Sequence, residues 1–122
     1  MGSRVNEKPF ADSAETFYSG VRPGQVMARE GSTRRPLNPR FDLRKHSSTG
    51  FGWGKGEVGP AQLSLALLAD ALGNDGRALQ LHQRFNHRVV TMLPERWTIT
   101  RSRILAYADM IEHLPSVTSD DI

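Results

Sequence analysis

The sequence predicts an α+β fold, in which a small N-terminal β-hairpin and a glycine-rich loop pack on a three-helix core. Three observations support this prediction: two strand-like segments flank a Pro-Gly turn, five glycines fall within residues 50–59, and helical patterns dominate after residue 60. The length of 122 residues suits one domain. We expect that domain to span residues 16–114, between a flexible tail at 1–15 and a flexible acidic tail at 115–122.

The hairpin is predicted from the segments 17–21 and 25–29, which contain aromatic and aliphatic residues typical of strands. A Pro-Gly pair at 23–24 lies between them and is a strong turn signal. Prolines interrupt the stretch 30–49, because proline lacks the backbone donor that regular structure needs. We therefore expect a loop there, with at most one short strand at Phe41–Leu43.

Three helices are expected in the second half of the chain. The first, Ala61–Leu72, is apolar on nearly every side, which is typical of a buried central helix, and Gly73 suits its C-terminal end. The second, Arg77–Met92, has an apolar stripe at spacings of three and four. Thr100 is a suitable N-cap for the third, which runs to about Leu114.

Positive charge is concentrated in the first half of the chain. The net charge is +3, made of +4 in residues 1–59 and −1 in residues 60–122. Seven of the positive residues lie within 29–55, where only two acidic residues accompany them. Such a stretch favours an anionic partner, although a solvated loop surface would have the same composition.

Two groups of residues are the candidates for a binding surface. The Arg-rich loop, the glycine-rich segment and the start of the first helix contribute Arg34, Arg35, Arg40, Arg44, His46, Trp53, Lys55 and Gln62, and the second helix contributes Arg77, Gln83, Arg84 and Arg88. Loops hold functional residues more often than cores do. For Trp53, the alternative is an anchor in the core.

Two other functions are open. The first two helices have helix-turn-helix spacing, and the second presents arginine and amide side chains that can read DNA, although an ordinary helix pair would look the same. Residues 54–59 fit G-x-G-x-x-G at the start of a helix, where anions bind. With Lys55 and His46 they could serve a small enzyme or a phosphate sensor, but the strands are too few for a dinucleotide fold, and Pro60 removes one backbone donor.

Other features of the sequence argue against several classes of protein. Two histidines of the second helix, His82 and His87, are five residues apart and do not share a helix face, so we expect no metal site and no cofactor. The chain contains no cysteine, no apolar run of membrane-spanning length and no N-terminal signal sequence. We therefore expect a cytoplasmic protein without a membrane partner.

The segment Gly52-Trp-Gly-Lys-Gly-Glu-Val-Gly-Pro-Ala-Gln-Leu63, preceded by Asp42-Leu-Arg-Lys-His-Ser-Ser-Thr-Gly-Phe51, resembles an uncharacterised bacterial family, domain of unknown function 6166. The likeness runs from about Leu37 to Ile104 and departs at Lys45 and Val58. The resemblance implies no catalytic residue. It implies an association with phage and other mobile DNA, and hence an accessory or anti-defence role.

The sequence thus predicts a non-catalytic binding protein with a basic surface. Its expected partner is an acidic protein, a nucleoprotein complex or a nucleic acid. The oligomeric state does not follow from the sequence.

Overall fold

The computed structural model describes residues 15–22, 24–54 and 59–114, which form one antiparallel sheet and three helices. The strands are β1 (Phe17–Val21), β2 (Gln25–Glu30), β3 (Thr33–Pro36) and β4 (Arg96–Thr100), in the order β3-β2-β1-β4. The helices are α1 (Gly59–Leu72), α2 (Asp75–Arg88) and α3 (Arg101–Glu112), and a 3₁₀ turn (Val90–Met92) follows α2. The predicted α+β class is confirmed. Both predicted tails lie outside the described residues, apart from Glu15.

The sheet extends the predicted hairpin by two strands that the sequence patterns did not indicate. The segment Thr33–Pro36, which was expected to be a loop, pairs with β2 as an edge strand. Pro36 is tolerated there because it is the last residue of a strand at the sheet edge. β4 pairs with β1 on the other side. The strand expected at Phe41–Leu43 is wrong, since this segment forms a turn in which Leu43 N donates to Arg40 O over 3.0 Å.

α2 and α3 each begin directly after an N-cap residue, and for α3 this residue is the predicted Thr100. Thr100 Oγ1 accepts a hydrogen bond from Arg103 N (3.1 Å), and Asn74 Oδ1 accepts one from Arg77 N (3.0 Å). α2 ends at Arg88 rather than at the expected Met92. The two β-branched residues that follow, Val89 and Val90, carry the chain into the 3₁₀ turn.

The core lies between the sheet and the helices, with α1 packed against both α2 and α3. α1 is buried on nearly every side, as its composition predicts. Alternate residues of the strands face this core, which gives the sheet a buried inner face. The inner face contributes Tyr18, Val26, Ala28, Trp97 and Ile99, all at most 9 % exposed.

Two glycines allow close packing around the glycine-rich loop. A Cβ atom at Gly20 would lie 2.5 Å from the indole of Trp97, and one at Gly59 would overlap the backbone nitrogen of Gly52. The backbone of the loop therefore touches the first residue of α1. Trp53, next in the loop, is 1 % exposed and packs edge-on against Trp97 with ring centres 5.6 Å apart. Of the two roles considered for Trp53, a residue of a binding surface and an anchor in the core, the structure shows the anchor in the core.

Within the described ranges, no helix has both the length and the apolar character needed to cross a bilayer.

Candidate binding surface

The helices pack on the inner face of the sheet and leave the opposite side, here called the outer face, open to solvent. The strand register assigns every residue of this face. They are Phe17, Ser19, Val21, Gln25, Met27, Arg29, Arg34, Pro36, Arg96, Thr98 and Thr100. The face thus combines small polar, apolar and cationic side chains, and none of its residues is acidic.

The charge of the outer face comes from Arg29, Arg34 and Arg96, all of them exposed. Arg29 and Arg34 are direct partners in the register between β2 and β3. Like charges placed opposite each other on neighbouring strands are destabilising. An anion bound between these guanidinium groups would relieve their repulsion.

The centre of the outer face is slightly concave. Two adjoining depressions of about 300 and 270 Å³ share Ser19, Met27, Arg34 and Thr98. At one end, the guanidinium carbon of Arg29 lies 4.7 Å from the centre of the Phe17 ring. A guanidinium group that lies over an aromatic ring at an open surface can stack with a planar group of a ligand on its other side.

The loop arginines predicted from the sequence do not form one surface. Arg35 makes two hydrogen bonds to Asp70 (3.0 and 3.1 Å), and Arg40 is held by both Asp42 and Asp75. The guanidinium of Arg40 lowers the pKa of the Asp42 carboxyl below its ordinary value. Arg44 is exposed in the loop, and Arg34 belongs to the outer face.

Gln62 and His46 fasten the loop to α1. Gln62 is fully buried; its Oε1 accepts from His46 N (2.7 Å) and Ser47 N (3.2 Å), while its Nε2 donates to two loop carbonyls. His46 Nε2 also lies 2.8 Å from His82 Nε2 on α2. The pKa values of the His46 and His82 imidazoles are both lowered, and burial is the largest cause. The neighbouring Ser47 Oγ contacts Thr49 Oγ1 rather than the imidazole of His46.

The predicted residues of α2 divide into two pairs. Arg77 binds Glu112 through two nitrogens, and Arg84 donates to the carbonyl of Ile111, so both connect α2 to the end of α3. Gln83 and Arg88 are exposed. Lys55 lies outside the described residues.

The two histidines that meet do not form a larger ligand set. Among the described residues, no group of three or more histidine, aspartate or glutamate side chains is placed to hold a metal ion. The residues predicted from the sequence therefore lie in separate places. Arg34 lies on the outer face, and His46 and Gln62 connect the loop to the helices. Arg77 and Arg84 lie at the junction of α2 with α3.

A protein-family model matches residues 18–110, which is most of the chain and includes all four strands apart from Phe17. The chain belongs to the family of unknown function DUF6166. The resemblance found in the glycine-rich segment is thereby confirmed. No curated protein matches the chain. No solved structure matches it either.

In this member of DUF6166, the sequence reasoning missed Phe17, Arg29 and Arg96 as surface residues. For Phe17 and Arg29, the period-two alternation of the hairpin carried a usable signal, because it places both on the face opposite Tyr18 and Ala28. Arg96 had no such signal, since its strand was not predicted. The contact of His46 with His82 joins residues 36 positions apart and had no local signal either.

Proposed function

We propose that this protein is a non-catalytic binding protein whose outer face holds an anionic partner, and that the partner is single-stranded nucleic acid. The observation that carries the proposal is the direct pairing of Arg29 with Arg34 on a face without acidic residues. Phosphate groups supply the charge that such a surface lacks.

The shape of the outer face favours a single strand over a duplex. Side chains on helices and narrow ribbons enter the major groove, whereas an open sheet presents a broad surface on which splayed bases can lie. The guanidinium group of Arg29, which lies over the Phe17 ring, offers a plane for base stacking, and Ser19 and Thr98 offer hydroxyl groups in the adjoining depression. Recognition of this kind tolerates many sequences.

The alternatives have weaker support. A DNA-reading α2 would need Arg77, yet the charge of this side chain is paired with the Glu112 carboxylate of α3. A phosphate site at the glycine-rich loop depends on Lys55, which lies outside the described residues, and it stays a prediction. The accessory or anti-defence role, which rests on family association, also stays a prediction.

The test is fluorescence anisotropy with labelled dT20, measured between 50 and 300 mM salt. If three arginines contact phosphates, the logarithm of the association constant should fall with the logarithm of salt with a slope of about −2. The double variant Arg29→Ala, Arg34→Ala should weaken binding and flatten the slope by about 1.4. Lys45→Ala, which removes an exposed charge from the loop, is the matched control and should change neither quantity.

Three results would overturn the proposal. The first is the absence of dT20 binding at low salt. The second is dT20 binding that does not depend on Arg29 and Arg34. The third is binding of poly-glutamate but not of dT20, which would assign the outer face to an acidic protein instead.

A further inference from the structure

A groove runs beside β4, the edge strand of the sheet that the described residues form. It has a volume of about 420 Å³ and lies between β4, the 3₁₀ turn and α3. Its apolar lining includes Val89, Met92 and Leu93, and Met92 is 68 % exposed, the largest exposure among the large hydrophobic residues described. Grooves of this size bind ligands in many proteins.

The backbone of β4 offers hydrogen bonds along this groove. Arg101 N donates to Thr16 O over 2.8 Å, which makes Thr16 and Arg101 a hydrogen-bonded pair of the antiparallel ladder. Because hydrogen-bonded pairs alternate with non-bonded pairs, the N–H and C=O groups of Thr98 and the N–H group of Thr100 point away from β1. The C=O group of Thr100 belongs to the first turn of α3, because Thr100 is the N-cap of that helix. β4 is the last strand of the described sheet, so the groups that point away from β1 face the groove side.

The charged residues that line the groove are both arginines. Arg88 at the end of α2 and Arg103 on α3 line it, and none of its lining residues is acidic. An occupant with carboxylates would be complementary to these two guanidinium groups. An occupant with alternate apolar residues would cover Met92 and Leu93, because the side chains of a strand alternate between its two faces.

From these three observations we infer that β4 accepts an added strand, and that the occupant is an extended acidic peptide segment with alternating apolar residues. Its backbone extends the sheet beyond β4, its apolar side chains enter the groove, and its carboxylates bind Arg88 and Arg103. This site uses different arginines from the outer face, so it does not depend on the proposed function.

The probe is a fluorescein-labelled peptide of eight residues in which valine and aspartate alternate. Two controls separate the contributions: a valine-lysine peptide keeps the apolar residues, and a serine-aspartate peptide keeps the charge. Titrations followed by anisotropy should show binding of the valine-aspartate peptide that is at least roughly tenfold tighter than that of either control.

Variants of the protein locate the peptide. Thr98→Pro removes an outward N–H while leaving the pairing with β1 intact, and it should abolish strand addition. Thr98→Ala changes the same side chain but keeps the N–H, so it should bind the valine-aspartate peptide much more tightly than Thr98→Pro does. Arg103→Glu should weaken binding by at least roughly fivefold. Lys45→Glu, far along the chain in the loop, is the control for charge.

Arg103→Glu also keeps the inference testable if the proline variant fails to fold. The inference is overturned if the valine-aspartate peptide does not bind, if it binds no better than the two control peptides, or if Arg103→Glu and Lys45→Glu reduce binding equally.

Discussion

His46 and His82 form a hydrogen bond between their two Nε2 atoms, 2.8 Å apart. His82 Nδ1 lies 2.8 Å from the carbonyl oxygen of Leu79, which can only accept, so Nδ1 carries the proton. In the neutral ring, His82 Nε2 is therefore the acceptor and His46 Nε2–H is the donor. The pair holds the loop against α2 in a form that needs at least one neutral imidazole.

This pair predicts a loss of stability in mild acid. Both folded-state pKa values are lowered from the ordinary 6.5, so the unfolded chain binds more protons than the folded one below that pH. The free energy of unfolding should fall as the pH drops from about 6.5 toward 5. Carboxyl groups with lowered pKa values also reduce stability in acid. For Glu112, whose ordinary value is 4.5, that loss begins only below about pH 4.5.

Urea unfolding at several pH values checks this prediction. The double variant His46→Gln, His82→Gln should show a smaller decrease between pH 6.5 and 5. His113→Gln is the control of opposite sign. The pKa of His113 is raised, mainly by the hydrogen bond to the Asp109 carbonyl. Removing this imidazole should therefore make the decrease in the free energy of unfolding at acid pH slightly larger. An unchanged slope in the double variant would contradict the assignment.

Gln62 gives a second prediction, because one buried amide satisfies four backbone groups of the loop. Gln62→Met keeps the length of the side chain but leaves those groups without partners. We expect it to lower the free energy of unfolding by at least about 2 kcal/mol. Gln80→Met, the same change at an exposed position of α2, should cost less than about 0.5 kcal/mol in the same chemical denaturation series. Equal effects would mean that the loop is not fastened through Gln62.

Two glycine-to-alanine substitutions should change stability in opposite directions. Gly20→Ala places a methyl group 2.5 Å from Trp97 and should cost about 1–3 kcal/mol. Gly76 lies within α2, and its Cβ would meet only Asn74 Oδ1 at 3.7 Å. Gly76→Ala should therefore stabilise the protein by roughly 0.5–1 kcal/mol. Thermal unfolding of both variants tests the packing of the sheet, and a neutral Gly20→Ala would be inconsistent with it.

The carboxylate of Asp70 joins two partners on the sheet. Buried Tyr18 donates its hydroxyl to Oδ2 over 2.6 Å, and Arg35 binds both oxygens. Burial and this carboxylate raise the pKa of Tyr18 well above its ordinary value. Asp70→Ala leaves the hydroxyl without its acceptor and should cost about 2 kcal/mol.

Asp109→Ala is the matched control for Asp70→Ala, since Asp109 is exposed on α3, and it should cost less than about 0.5 kcal/mol. Tyr18→Phe in the Asp70→Ala background should recover part of the loss, because no unsatisfied hydroxyl then remains. A double-mutant cycle without coupling would show that the two side chains act independently.

The parts of the fold that the sequence predicts are those with local causes. Thr100 caps α3 through its own side chain, and Gly73 ends α1 at a φ of +63°, a conformation that glycine adopts without steric cost. Both effects act over a few residues, so they are visible in the residue pattern.

The remaining features depend on contacts between distant segments. β4 has only five residues and becomes a strand through pairing with β1, about 80 positions earlier in the chain. The carboxylate partners of two loop arginines are also distant in the sequence. Arg35 and Arg40 have the composition of a binding loop, but their carboxylate partners Asp70 and Asp75 are each 35 positions away.

The division of the sheet into a buried and an open side has a consequence for how this domain can vary. Along the strands, alternate side chains pack in the interior, while the side chains between them are exposed or half-buried on the outer face. Substitutions at the open positions should therefore cost less folding free energy than substitutions at the inner positions, so the chemistry of the outer face can change while the fold is kept.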